Sequence, residues 1–91
     1  MPIWIRKTHN EITENYSHLM KDDWDLTNNF EAFNDWIQSV DETLDKNFDW
    51  IADIGFSPRP NATGGGPVIS FDLMKLCIKN NIEIYISEFN S

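Results

Sequence analysis

The chain has 91 residues and carries fifteen Asp and Glu against seven Lys and Arg, which gives a formal charge of −8. A surface of that sign repels nucleic-acid phosphates and anionic membranes and attracts basic proteins, so direct binding to either polyanion is excluded as the expected function. The length admits one domain, predicted to span 1–91, and the single cysteine excludes an internal disulfide framework.

The first half of the chain is predicted to form one strand and two helices. Alternating apolar residues over 2–7 indicate a short strand. Thr8 followed by Glu11 is a capping-box pattern, and apolar residues at 12, 16, 19 and 20 then recur at helical spacing, which predicts a helix over 9–21. After a loop over 22–27, the clearest amphipathic pattern predicts a helix from Asn28 to about Lys46.

The second half of the chain is predicted to contain a long loop, a helix and a strand. Residues 47–54 continue the preceding helix or form a short turn. Residues 55–67 hold four Gly and three Pro, a loop composition. Ser70 is a plausible N-cap for a helix ending near Asn80, and clean alternation over 82–89 predicts the best strand. Further strands remain open at 55–57 and 66–69.

This order predicts an α+β fold. We expect the N- and C-terminal strands to pair in a small antiparallel sheet, with three or so helices packed on one face. If the strand over 82–89 lies at the edge of that sheet, its free backbone groups could pair with another chain. The expected state is therefore a monomer or a weak homodimer.

The negative charge is concentrated in one segment. Between Asp22 and Asp53 there are ten carboxylates and a single base, Lys46. On the predicted helix, like charges such as Glu31 and Asp35 stand four residues apart, and each such pair costs about 0.2–0.5 kcal/mol. Tolerated repulsion favours a partner that supplies positive charge. The alternative, a solvated face that only keeps the protein in solution, stays open.

Trp24 stands among three carboxylates in the loop before that helix. Aromatic side chains beside acids are typical anchors of protein–protein sites, although Trp24 could equally belong to the core. The predicted partner-binding residues are Asp22, Asp23, Trp24, Asp25, Glu31, Asp35 and Glu42.

No catalytic constellation is evident, so we expect neither an enzyme nor a cofactor. Cys77 falls in an apolar helical pattern typical of a buried thiol. Glu14, His18 and Asp22 would share one face of the predicted first helix, a spacing that can hold a divalent metal, but such spacing is common on exposed helices and no metal is predicted. The glycines of 64–66 lack the Lys-Ser/Thr of a phosphate loop and indicate a flexible loop or a binding rim.

Several segments together resemble small acidic bacterial toxin-immunity proteins of the bacteriocin or contact-dependent growth-inhibition type. These are the Trp/Asp-rich stretches over 22–25 and 48–51 and the closing helix–strand unit over 69–78 and 82–86. The resemblance covers a minority of the chain. It implies a protein that neutralises a cognate toxin, often a nuclease, by covering its basic active-site or exosite surface.

The sequence also bears on the cellular location of the protein and leaves two other functions open. The opening residues 1–7 lack the apolar run of a secretion signal, and the cysteine content favours a reducing compartment, so a cytoplasmic location is expected. One alternative is a phage-encoded antagonist that mimics nucleic-acid charge to block a host defence protein. The other is a small ligand- or metal-binding module.

Overall fold

The computed structural model describes residues 1–90 and contains one mixed four-stranded sheet with two helices. Its elements in chain order are β1 (Ile3–His9), β2 (Ile12–Leu19), α1 (Leu26–Val40), β3 (Asp49–Phe56), α2 (Phe71–Lys79) and β4 (Ile82–Glu88). The strands lie in the order β2-β1-β3-β4. β1 is antiparallel to both β2 and β3, whereas β4 is parallel to β3 and is reached through α2.

Both helices pack on the same face of the sheet. The strand register places a buried row of side chains on that face, including Ile5, Ala52 and Ile54. Phe33 of α1 and Leu73 of α2 lie in the same buried cluster. Burial of the Ile, Phe and Leu side chains stabilises the fold by roughly 1.5–3 kcal/mol each. The acidic outer side of α1 is thereby turned to solvent.

Part of the predicted fold class is wrong. The sheet is mixed instead of antiparallel, two helices replace the expected three or so, and the terminal strands do not pair because β3 lies between β1 and β4. A parallel pair needs a crossover, and residues 57–81 supply it as a loop and a helix. The α+β class itself agrees with the structure.

The helix predicted over 9–21 is also wrong, because this segment forms a β-hairpin with β1. Asn10 and Glu11 both have positive φ, 50° and 67°, which is the geometry of a two-residue type I′ turn. That turn matches the right-handed twist of the flanking strands. Of the apparent capping pair, Thr8 lies in β1 and Glu11 lies in the hairpin turn itself, so the pair caps no helix.

The long helix ends earlier than predicted, and a strand follows it. α1 stops at Val40, and residues 49–56 form β3, neither a helical continuation nor a turn. No strand occurs at 66–69 within the described part of the chain. The β1 strand, the Ser70 cap of α2 and the β4 strand are confirmed, the cap by the Ser70 hydroxyl accepting from the Leu73 N–H at 3.1 Å.

Candidate protein-binding surface

The outer side of α1 displays the acids that the sequence singled out there. The helix buries Phe30, Phe33 and Ile37, so Glu31 and Asp35 are left exposed on the other side. Their i,i+4 spacing makes them neighbours of like charge. Glu42 lies in the turn beyond the end of the helix, with a side chain that is 90% exposed.

The loop before α1 uses two of its three carboxylates to build structure. Asp25 is the N-cap, and its Oδ2 accepts from the Asn28 N–H at 2.9 Å. Asp23 accepts from the Asp25 N–H at 3.0 Å and from the Asn28 side-chain amide at 3.2 Å. Both are half-buried, whereas Asp22 is exposed. Asp22 is therefore the carboxylate of this loop best placed to meet a partner.

Trp24 has both of the environments proposed for it. It is half-buried and packs edge-to-face on Phe89 with ring centroids 5.5 Å apart. Its carbonyl accepts from the Ser57 N–H at 3.0 Å. The ring therefore joins the loop before α1 to the end of β4 while keeping part of its surface in solvent.

Most of the acidic segment has no compensating cation. Within residues 1–90, ion pairs join Arg6 to Asp53 at 2.9 Å and Lys79 to Asp41 at 2.9 Å, with Glu42 at 3.8 Å from the same Lys79 ammonium. Seven carboxylates between positions 22 and 53 have no basic side chain within 4.0 Å in the described chain: Asp22, Asp23, Asp25, Glu31, Asp35, Asp45 and Asp49.

Asp41 serves a different purpose, because it fastens the end of α1 to the end of α2. Its carboxylate accepts from the Asn80 amide at 2.8 Å and from the Lys79 ammonium at 2.9 Å. The hydrogen bond from Asn80, followed by that from Lys79, lowers the pKa of Asp41 from 3.8. The hydrogen bond between Lys79 and Asp41 also raises the pKa of Lys79.

An open groove runs between α1 and the start of α2. Its volume is about 370 Å³, and Val68 is the exposed apolar residue of its lining, beside the buried Phe30 and Leu73, while Glu31 and Asn34 stand on the α1 side. A groove with an apolar wall and a carboxylate fits a long basic side chain, whose methylenes pack as its charged head reaches the acid. No local sequence pattern indicates this groove, because it forms between segments that are distant in the chain.

The open face of the sheet carries a polar network that the sequence reasoning missed. Arg6 Nη1 donates to Asp53 Oδ2 at 2.9 Å and Ser87 Oγ donates to Asp53 Oδ1 at 2.6 Å, which ties β1, β3 and β4 together. Trp4 and His18 stack beside it at 3.8 Å. Alternation within β1 and β3 is the signal that would have placed these side chains on one face, had 9–21 and 47–54 been identified as strands.

The residues considered for metal binding and the Gly-rich loop lie in separate parts of the structure. Glu14 and His18 lie in β2, so the helical face that would have joined them to Asp22 does not exist, and His18 Nε2 lies 3.0 Å from the Met1 carbonyl. Among residues 1–90 no three His, Cys, Asp or Glu side chains are close enough to hold a metal. In the Gly-rich loop, Arg59 donates to the Gly64 carbonyl at 2.7 Å.

No protein-family model, no curated protein and no solved structure matches the chain. Over residues 1–90, neither helix has the length and apolar character required to cross a bilayer.

Proposed function

We propose that this protein is a cytoplasmic, acidic protein-binding inhibitor of the immunity type, which neutralises a cognate nuclease toxin by covering a basic surface at or beside the active site of that toxin. The observation that carries the proposal is the set of uncompensated carboxylates along α1, above all Glu31 and Asp35. A nuclease must be basic where it holds phosphates, so such a surface offers it electrostatic complementarity.

The groove beside Glu31 supports the same proposal. Charge alone speeds encounter, but slow release needs a desolvated anchor in a well-packed pocket. The groove offers a partner's Lys or Arg both the apolar surface of Val68, which is 84% exposed, and the carboxylate of Glu31. Asp35 and Asp22 then act at the rim, where charges steer association more than they hold the complex.

The proposal is tested by capture followed by matched charge reversal. Proteins retained from a native lysate by the immobilised chain at low salt are identified, purified, and assayed for nuclease activity with and without the chain. We expect a basic nuclease that is inhibited at a 1:1 ratio. Asp35→Lys combined with Glu42→Lys should weaken its binding at least about tenfold, or 1.4 kcal/mol, without unfolding the protein.

The control variant reverses the same number of charges on another part of the surface. Glu11→Lys with Glu14→Lys alters the exposed β1–β2 hairpin by an equal number of charges. Equal losses from the two double variants would reduce the effect to net charge and remove α1 from the interface. A captured host defence protein, encoded apart from this chain, would favour the phage-antagonist alternative, whereas a toxin gene directly upstream favours immunity. Capture of no basic protein at low salt contradicts both.

A further inference from the structure

The strand β4 leaves a regular, unpaired edge on the sheet. Within residues 1–90 it pairs only with β3, in a register that runs unbroken from Ile82 to Glu88. β2 forms the opposite edge, but its pairing is irregular next to Ile5 and Arg6, so that Tyr16 forms a bulge. Bulges discourage edge pairing, and β4 has none. β4 is therefore the edge suited to accept another strand.

An apolar strip lies on α2 next to that edge. Leu73 and Cys77 face the core, while Phe71 and Ile78 are each 79% exposed and Met74 is 42% exposed. Lys79 reaches α1 through Asp41, which fixes the side of α2 that faces α1. At about 100° per residue Met74 falls on the other side of the helix, toward β4 and away from α1.

The strip continues onto β4. Ile86 lies beside Ile54 in the register, on the helix-covered face, yet it is 51% exposed because α2 does not extend over it. Phe71, Met74, Ile78 and Ile86 are together called the α2–β4 surface. Exposed apolar patches of more than a few hundred Å² are rare on monomers. Phe71 by itself exposes roughly 150–200 Å².

The charge distribution separates this surface from the acidic side of α1. The exposed side of α2 carries Asp72 and Lys75, so it is close to neutral, while β4 beside it carries the exposed Glu83 and Glu88. Together, the four apolar side chains and the seven-residue backbone edge expose an area of the order of the ~800 Å² that each partner buries in a standard interface. An apolar, neutral surface beside a free strand suits strand pairing better than electrostatic capture.

We propose that the α2–β4 surface joins two copies of this chain into a homodimer, with their β4 strands antiparallel about a two-fold axis at Tyr85. In that register, Ile84 lies opposite Ile86 of the second copy on the helix-covered face, and Glu83 lies opposite Ser87 on the open face. All seven residues pair and no acid faces an acid, so the strand is self-complementary. The two α2 strips then lie side by side above the joined sheets.

The dimer and the toxin complex depend on salt in opposite ways. Two chains of charge −8 repel each other, so screening strengthens an apolar dimer. Screening weakens an acidic surface bound to a basic partner. The dimer also leaves α1 free, so this inference does not rest on the toxin-binding proposal, and either can fail without the other.

Cysteine cross-linking tests the register. Directly opposite residues of antiparallel strands have Cα atoms about 4.5–5.5 Å apart, within the range of a disulfide. Tyr85→Cys should therefore form a covalent dimer under mild oxidation. Glu83→Cys should not, because the two copies of that position are separated by four residues, or about 13 Å. The native Cys77 is buried, so the unmodified chain is the background control.

Sedimentation equilibrium from micromolar to millimolar protein tests the surface itself. We expect a reversible dimer that tightens as NaCl is raised. Ile86→Glu and Ile78→Asp should each raise its dissociation constant at least about tenfold. Ile12→Glu changes a side chain that is 65% exposed at the other edge and should leave dimerisation unaltered. A monomer at all concentrations, no cross-link at Tyr85→Cys, or an equal cross-link at Glu83→Cys overturns the proposal.

Discussion

Asp25 illustrates how one carboxylate of the acidic segment can be required by the fold itself. As the N-cap of α1 it satisfies the Asn28 N–H, one of the first-turn donors that no helical carbonyl can reach. Its negative charge also lies at the positive end of the helix dipole. Asp25 is consequently a poor position at which to test partner binding, because its removal disturbs α1.

Substitution of Asp25 separates its hydrogen bond from its charge. Asp25→Ala should lower the free energy of unfolding by about 1 kcal/mol, whereas Asp25→Ser, which keeps a capping oxygen, should stay close to the parent protein. Urea unfolding followed by circular dichroism measures both. Asp22→Ala is the control and should change stability by less than about 0.5 kcal/mol, since Asp22 is exposed. An equal loss in the Ala and Ser variants would show that the charge, and not the cap, stabilises α1.

Cys77 shows a residue whose environment could be predicted from the sequence alone. Its place between Leu73 and Ile78 in an apolar helical pattern predicted a buried thiol, and the structure leaves it 7% exposed. Burial raises the pKa of the Cys77 thiol to about 11. The thiolate is the reactive form, so this cysteine is a packing residue at neutral pH.

Among the elements, those with one consistent local signal were predicted and those decided by strand pairing were not. α2 has a Ser cap, a helical apolar pattern and Asn at its end, and β4 alternates cleanly. β3 has apolar residues on both faces, Trp50 and Ile54 toward the helices and Ile51 toward the open face, because it is a central strand. That pattern mimics a helix when the strand's neighbours are unknown.

The β1–β2 hairpin was not predicted, for a related reason. The strongest hairpin signal is Asn-Gly, and here the second turn position is Glu11, which is unusual at positive φ. Its bulge at Tyr16 also breaks the period of two that would have marked β2 as a strand. The acidic surface of α1 survives these errors because it depends only on α1, whose periodicity was the clearest. The groove and the α2–β4 surface depend on packing between distant segments and could not be seen.

The link between α1 and α2 gives the fold a specific response to acid. Since Asp41 has a pKa below its unfolded value of 3.8, its contribution to stability is present above pH 3.8 and is lost as the pH falls through the lower folded-state value. Asp41→Asn should therefore reduce stability at pH 7 and make a smaller difference near pH 2. Urea midpoints at the two pH values measure this.

Glu42→Gln is the matched control for that prediction. Its carboxylate lies near the same Lys79 but is 90% exposed, and exposed ion pairs contribute little. We expect no change in the midpoint at either pH. A destabilisation by Asp41→Asn that is the same at pH 7 and pH 2 would mean that the charge of Asp41 plays no part in holding the helices together.

At the scale of the whole molecule, charge and apolar surface are segregated. The uncompensated acids of α1 lie on one part of the helical layer, and the neutral strip of α2 lies beside the β4 edge. A protein selected for stability alone would intersperse cations among Glu31 and Asp35 and cover Phe71 and Ile78. Both departures carry a cost in the isolated monomer, and each would be relieved by the contact proposed for it, the acids by a basic partner and the apolar strip by a second copy of the chain.

The cost of the acidic surface can be measured without any partner. Asp35→Lys converts a repulsive i,i+4 pair with Glu31 into an attractive one and should raise the free energy of unfolding by about 0.4–1 kcal/mol. This gain in stability should shrink when the salt concentration is raised from 10 mM to 0.5 M. At about 0.5 M the screening length falls below roughly 5 Å, so the two side chains interact more weakly. Glu11→Lys, with the same change in net charge, should gain less stability because no like charge on a helix faces it.

If the same Asp35→Lys protein is more stable yet binds the proposed toxin more weakly, the acids of α1 are retained for binding at the expense of stability. Stabilisation with unchanged binding would instead leave those acids the simpler task of keeping the chain in solution.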